Sequence, residues 1–427
     1  KIVGLITEYN PFHNGHLYHI RESLRITGAD AALVVMSGDY VQRGTPAIMP
    51  KRLRTEMALY CGAGAVLELP VCYATGSAEF FALGAISLLD SLGIVDSVCF
   101  GSECSDLPLL QKIAGLLVDE PEQYREILRH ELKLGKSFPA ARQTAVVFCT
   151  GDPRCADILK DPNNILGIEY LKALKKCGSS IRPYTIRRKG AGYHSSQLDE
   201  LYSSASAIRS LLAYSSSSIH TEFAGDDSTE LSFSDILNEL GNQVPKKCLE
   251  LLSDFHKIQY PVYQNDFSLI LKYKLLNKHP ESLVRYMDVS PELAARICTS
   301  LNDFFNYKQF AGLLKTKELT QTRINRALLH IMLGIKKDSV SEYMNSGYNF
   351  YARLLGFRKD CSQILTEISK KSSLPLLTKL AESRELCELG QRMLRDDILA
   401  SNLYTSVVTD KFKTAFLNEY KQRIIKI

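Results

Sequence analysis

No two of the eleven cysteines stand in a C-x-x-C spacing; they scatter from Cys61 to Cys387. The odd count and wide spacing argue against a zinc site and against a disulfide framework, and point to a reducing, cytoplasmic setting. Long apolar runs are missing as well. The longest, residues 80–95, carries Asp90 and falls short of a membrane span, so no membrane partner is expected. The chain passes from Lys1 directly into a strand-like segment, from which no signal peptide is expected. A large excess of one charge is also lacking. The net charge is +5 and the pI near 8.5, compatible with an RNA partner without demanding one; DNA is not expected. No repeat at a fixed period is evident, which sets aside a solenoid.

What is present is globular. At 427 residues, with 45% hydrophobic and 23% charged residues, the chain exceeds one ordinary core. Short apolar runs at 2–7, 31–36, 65–69, 97–100 and 181–186 alternate with helix-like patterns at 16–27, 51–61, 78–92, 107–117 and 164–176. Such alternation predicts an α/β fold, a parallel sheet with helices on both faces. A polar, serine-rich stretch at 214–227 marks a boundary. The expectation is therefore a parallel-sheet domain over 1–213 and an all-helical region over 228–427.

The most informative stretch is Asn10-Pro11-Phe12-His13-Asn14-Gly15-His16, between the first strand and the first helix. A helix N-terminus carries free amides and partial positive charge, which suits phosphate. His13 and His16, three apart, share one face of the first turn and can donate to the same anion. Gly15 removes a side chain where a ligand would approach the backbone. The reading is a nucleotide phosphate site.

Other loops follow strands in the same way, where ligands of such sheets bind. Met36-Ser37-Gly38-Asp39-Tyr40-Val41-Gln42-Arg43-Gly44 leads to Lys51-Arg52-Leu53-Arg54, and the loop's charged groups, Asp39 and Arg43, are expected to point into the crevice. Gly101 with Ser102 and Glu103 suits an adenine or ribose. Asn163 or Asn164 is a natural cap for the following helix. Arg187, Arg188 and Lys189 precede Gly190-Ala191-Gly192, a pattern for an anion held close to the backbone. Serines at 203, 204 and 206 then open a helix that carries Arg209 opposite the core face of Ile208.

The second half gathers Lys308, Lys315, Lys317, Arg323, Arg326, Lys336 and Lys337, with Tyr307, Phe310 and His330 interleaved as candidates for stacking on bases. Arg323 and Arg326 share a helix face and are the expected phosphate contacts of a polyanion.

These motifs together resemble the bacterial tRNA(Met) cytidine acetate ligases, within the superfamily that carries the HIGH signature, here His13-Asn14-Gly15-His16. The segments that carry the resemblance are Glu8 through His16, Met36 through Gly44, Pro162-Asn163-Asn164, Gly190-Ala191-Gly192-Tyr193-His194 and Thr322-Arg323. One departure is Ser204-Ala205-Ser206 before Ile208-Arg209, where many superfamily members read Ser-Ser-Thr. The resemblance implies a Rossmann-like nucleotidyltransferase domain and an ATP-dependent ligase. It would activate acetate as acetyl-adenylate and pass the acetyl group to N4 of the wobble cytidine of elongator tRNA(Met). It implies ATP contacts at Ile6, Thr7, Glu8, Tyr9, Asn10, Pro11, Phe12, His13, Asn14, Gly15, His16, Leu17, Tyr18, His19, Gly101, Asn163 and Arg188. Arg209 fits a phosphate contact, Mg²⁺ is expected with the ATP, and Arg323 and Arg326 are expected to meet tRNA. His13 and His16 are the expected catalytic donors, with Asp39 handling the substrate end. A small-molecule nucleotidylyltransferase or a non-catalytic RNA-binding protein would carry the same first-half motifs.

Overall fold

The computed structural model describes residues 1–188, 204–214 and 232–427. Its strands, in chain order, are β1 (Ile2–Thr7), β2 (Ala31–Ser37), β3 (Tyr40–Val41), β4 (Thr45–Pro46), β5 (Ala63–Leu69), β6 (Ser97–Ser102), β7 (Arg182–Arg187), β8 (Ala352–Phe357), β9 (Leu376–Leu377) and β10 (Ile425–Lys426). The main sheet runs β10-β8-β5-β2-β1-β6-β7, with β9 beside β8. From β5 to β7 every pairing is parallel. The central strand β2 is an unbroken apolar run from Ala31 to Met36 because both its faces are covered: every residue after Ala31 is buried.

Helices Asn14–Thr27 and Lys51–Tyr60 pack one face, against Val3, Leu5, Val34 and Met36. Helices Ala78–Ser91, Leu107–Asp119 and Pro162–Lys176 pack the other, against Leu33, Val35, Val98 and Phe100. The chain winds outward from β1 through β2 to β5, then returns with β6 to the opposite edge of β1. That reversal opens a crevice past the carboxyl ends of β1 and β6, where ligands of doubly wound sheets bind.

The segment after 231 is mostly helical, with its longest helix at Glu388–Phe412. It also returns strands to the sheet: β8 lies antiparallel to β5, and β9 and β10 flank β8 in parallel. The expected boundary at 214–227 lies, apart from Tyr214, outside the described residues. Among the described residues no helix is long and apolar enough to cross a membrane, and all eleven cysteines are free thiols.

Candidate active site

Past β1 the backbone turns sharply: Tyr9 takes φ 47°, in the left-handed region, and its ring is buried against Phe12 and His16. The Asn10 side chain accepts from the Ile48 amide at 2.8 Å, tying this turn to the segment before the second helix. The helix then begins at Asn14 with His13 as its cap. His13 Nδ1 accepts from the Gly15 amide at 3.1 Å and His16 Nδ1 accepts from the His13 amide at 3.3 Å. Both imidazoles therefore carry their proton on Nε2, the nitrogen left to donate. Their rings lie 3.8 Å apart and line one cavity.

Gly15 has a reason beyond ligand approach. A Cβ there would stand 2.8 Å from His13 Cε1, so the missing side chain makes room for the imidazole itself. His19 also lines the cavity, but its Nε2 donates to the Cys99 carbonyl on β6 at 3.1 Å.

The positive charge of the site does not come from its histidines. Burial, then the guanidinium charges of Arg188 and Arg209, push His13 down to about 3. Burial, then His13 and Arg188, hold His16 well below its ordinary range, and burial pushes His19 down to about 4. At neutral pH the histidines are uncharged donors. Positive charge comes instead from Arg43, Arg188 and Arg209, all on the cavity wall.

Arg209 sits on helix Ala205–Tyr214, opened by Ser204, whose hydroxyl accepts from the Ala207 amide at 3.1 Å. Its Nη1 donates to the Asn10 carbonyl at 2.6 Å and its Nη2 to the Ser206 hydroxyl at 3.0 Å, while Ile208 is buried in the core. Arg188 donates to the Asn163 side chain at 3.1 Å, and Gly101 lies beneath its aliphatic stem.

The expected cap at Asn163 or Asn164 is corrected. The helix begins at Pro162, so both asparagines lie inside its first turn. The capping acceptor is Glu103, whose Oε2 takes the Asn164 amide at 2.9 Å while Oε1 takes the Asn163 side-chain amide at 2.6 Å. Asn164 accepts in return from the Glu103 and Cys104 amides, and Asn163 alone of the pair faces the cavity.

Asp39 is corrected too. It is buried away from the cavity wall, and its Oδ1 accepts from the Lys51 amide at 2.8 Å. It caps helix Lys51–Tyr60, whose own cap position is Pro50, with no side chain to offer. Lys51 and Arg54, which follow that loop, are 1% and 0% exposed. Lys51 Nζ meets Glu68 at 2.7 Å, Ser401 at 2.6 Å and Glu419 at 2.9 Å; Arg353 closes the cluster on Glu68 and Glu419. Buried charges survive only when paired in this way. Of that loop, Val41, Gln42, Arg43 and Thr45 reach the cavity, across the β3–β4 hairpin. Gly44 at its tip takes φ +75°, and a Cβ there would meet the Arg326 amide at 2.3 Å, so the hairpin rests directly on helix Gln321–Leu333.

Phe81, Phe100, Leu166 and Tyr170 complete the wall. Sequence reading missed them, since apolar helix and strand positions look alike whether they face a core or a cavity. Residues 190–194 lie outside the described residues.

The comparisons with known proteins agree over the whole length. A family model described as HIGH Nucleotidyl Transferase matches residues 1–419. The tRNA(Met) cytidine acetate ligase of Caldanaerobacter subterraneus subsp. tengcongensis is 43% identical over 406 residues, 95% of this chain and 95% of its own. That of Acetivibrio thermocellus is 40% identical over 428 residues, 100% of this chain and 99% of its own. The chain belongs to the tRNA(Met) cytidine acetate ligase family. Among solved structures, apo Thermotoga maritima TmcAL (form I) matches at TM-score 0.89 and 31% identity, covering 100% of this chain and 99% of that one. The same Thermotoga protein bound with alpha-thio ATP (form II) matches at TM-score 0.87 and 31% identity.

In this member of the family the basic stretch of the second half divides. Arg323 is exposed at the start of helix Gln321–Leu333. Arg326, expected to face tRNA beside it, instead pairs with Asp288, Nε to Oδ2 at 2.8 Å, and is largely buried. Tyr307, Phe310 and His330, expected to stack on bases, are at most 1% exposed and belong to the core. The His330 ring bridges the Met287 carbonyl and Thr75.

Proposed function

We infer that the chain is an ATP-dependent ligase that joins acetate to AMP and passes the acetyl group to N4 of the wobble cytidine of elongator tRNA(Met), forming N4-acetylcytidine. The observation that carries the reading is the histidine-capped helix facing Arg188 and Arg209 across one cavity, in a chain that matches tRNA(Met) cytidine acetate ligases from end to end.

An acetate oxygen attacks the α-phosphorus of ATP and pyrophosphate leaves. Charge builds on the phosphate oxygens, and donors fixed in place before reaction stabilise it without reorganising. His13 and His16 Nε2–H, the amides of the first helical turn and the two guanidiniums form such a set. The helix amides sit where ATP phosphates bind best, and Gly101, Asn163 and Arg188 line the end of the cavity beside β6, suited to adenosine.

No group of three His, Cys, Asp or Glu side chains that could hold a metal ion stands together among the described residues. Mg²⁺, expected with the ATP, would come as the polyphosphate's counter-ion and would shield phosphate charge there. The helical second half, with Arg323 exposed, supplies the surface for tRNA phosphates.

The test is incubation of the purified protein with labelled acetate, ATP and bulk bacterial tRNA, followed by nucleoside analysis. Label in N4-acetylcytidine at the wobble position of elongator tRNA(Met) is expected, and only with ATP. Absence of label from tRNA, with adenylation of a small metabolite instead, would overturn the reading.

A further inference from the structure

The two half-reactions ask different things of one cavity. Adenylation needs donors and positive charge at the phosphates. Acetyl transfer needs a proton acceptor, because the cytidine amine carries two hydrogens and the amide product carries one. Among the described residues that line the cavity, Glu8 is the sole carboxylate. The histidines are poorly suited to that duty: Nδ1 of His13 and His16 already accept from backbone amides, and His19 is bonded to Cys99.

Glu8 is the first residue past β1, at the point where the strand order reverses. Its carbonyl accepts from Arg54 Nη1 at 2.6 Å, and that buried guanidinium also binds the carbonyls of Ser37, Gly38 and Met49. Its Oε1 accepts from the Gln42 amide at 2.9 Å, so the hairpin fixes the carboxylate from one side. Oε2 takes no hydrogen bond among the described residues. The Glu8 charge is felt by Tyr170, whose phenol is pushed up by burial first and by Glu8 second. With one oxygen anchored by backbone and the other left for substrate, the carboxylate is held in place to take a proton.

We propose that Glu8 is the base of the acetyl-transfer step, a role that rests on the ligase reading above. Oε2 accepts a hydrogen bond from the N4 amine, the contact by which a carboxylate recognises cytosine. The N4 lone pair forms a bond to the acetyl carbonyl carbon of acetyl-adenylate. The C–O bond to the phosphate breaks, its electron pair leaving on AMP. The proton lost from nitrogen passes to Glu8 and then to solvent.

The experiment separates the half-reactions. Acetyl-adenylate is formed first from ATP and acetate and measured as pyrophosphate release; tRNA(Met) is then added in a single turnover across a range of pH. Glu8→Gln keeps the shape and the acceptor for the Gln42 amide but cannot take a proton. Its transfer rate should fall ~10²-fold or more relative to its own adenylation rate, the usual scale for a lost general base. The wild-type transfer rate should rise with pH and that of Glu8→Gln should not, and Glu8→Asp should restore part of both. Equal losses in the two half-reactions would place Glu8 with ATP and overturn the proposal. So would a transfer rate that keeps the wild-type pH rise, or a defect confined to tRNA binding. A wild type that forms acetyl-adenylate yet leaves tRNA unlabelled would overturn the ligase reading, and this role with it.

Discussion

Arg209 Nη1 and the Asn10 carbonyl oxygen stand 2.6 Å apart, joining a helix late in the nucleotide-binding half to the first turn after β1. Asn10 also holds the Ile48 amide, so one asparagine is the knot between three segments. Replacing Arg209 by Ala removes a cavity-lining charge and this tether together. ATP–pyrophosphate exchange should fall ~10²-fold, the scale of one lost donor, with a higher KM for ATP. Arg209→Lys should recover only part, because an ammonium cannot serve Asn10 and Ser206 in the fixed fork of a guanidinium. Full exchange in the Ala variant would show that the tether is dispensable.

His13 has two duties that separate by substitution. As helix cap its Nδ1 takes the Gly15 amide; as donor its Nε2 faces the cavity. Asn is a strong cap without an imidazole, so His13→Asn should keep the urea midpoint near wild type and lower adenylation ~10²-fold. His13→Ala should lose adenylation and about 1 kcal/mol of stability as well. An Asn variant with wild-type turnover would leave His13 a structural cap alone.

The neutral histidines also set a pH dependence. His19 titrates at about 4 in the fold against 6.5 ordinarily, so between those values the unfolded chain binds the extra proton. Its contribution is complete above pH 6.5 and falls as pH drops toward 4, by about 1.4 kcal/mol per unit. Asp397, raised to about 7 mainly by burial, works in the opposite sense, being protonated in the fold while the unfolded chain is ionised. The clean observable is the difference between wild type and His19→Gln. The variant should lose less stability than the wild type between pH 6.5 and 5; a larger loss would reverse the assigned sign.

Arg323 and Arg326 should behave as different kinds of residue. Arg323→Ala should weaken tRNA binding and reduce its salt slope by about one unit, as for a single lost phosphate contact. Arg326→Ala strands the buried Asp288 charge and should lower the urea midpoint instead. If Arg326→Ala changed only tRNA affinity, the ion pair would be incidental and the original expectation restored.

The central parallel strands were legible because a strand covered on both faces is a near-continuous apolar run, and the five helices read from their patterns begin and end within a few residues of them, while helices Glu122–Lys133 and Phe138–Thr150 between β6 and β7 were missed. The β8 strand was not. Its six residues sit among helical patterns, and only the tertiary fold brings them antiparallel to β5. The His13–His16 turn was legible because its residue types and its place between strand and helix agree. Asp39 misled for the opposite reason. A charged loop past a strand reads as a ligand site, and nothing local shows that Glu68, Arg353 and Glu419 converge on it from distant segments. Likewise Arg326 looks like a free cation until Asp288 is placed beside it.

In the proposed reaction acetate itself attacks the α-phosphorus of ATP. The direct test supplies acetate labelled with ¹⁸O in both oxygens, with ATP and tRNA(Met), and reads the products by mass spectrometry. Attack at the α-phosphorus followed by transfer of the acetyl group leaves one labelled oxygen on AMP and none on pyrophosphate. Label in pyrophosphate or inorganic phosphate, or AMP free of label while N4-acetylcytidine accumulates, would contradict it.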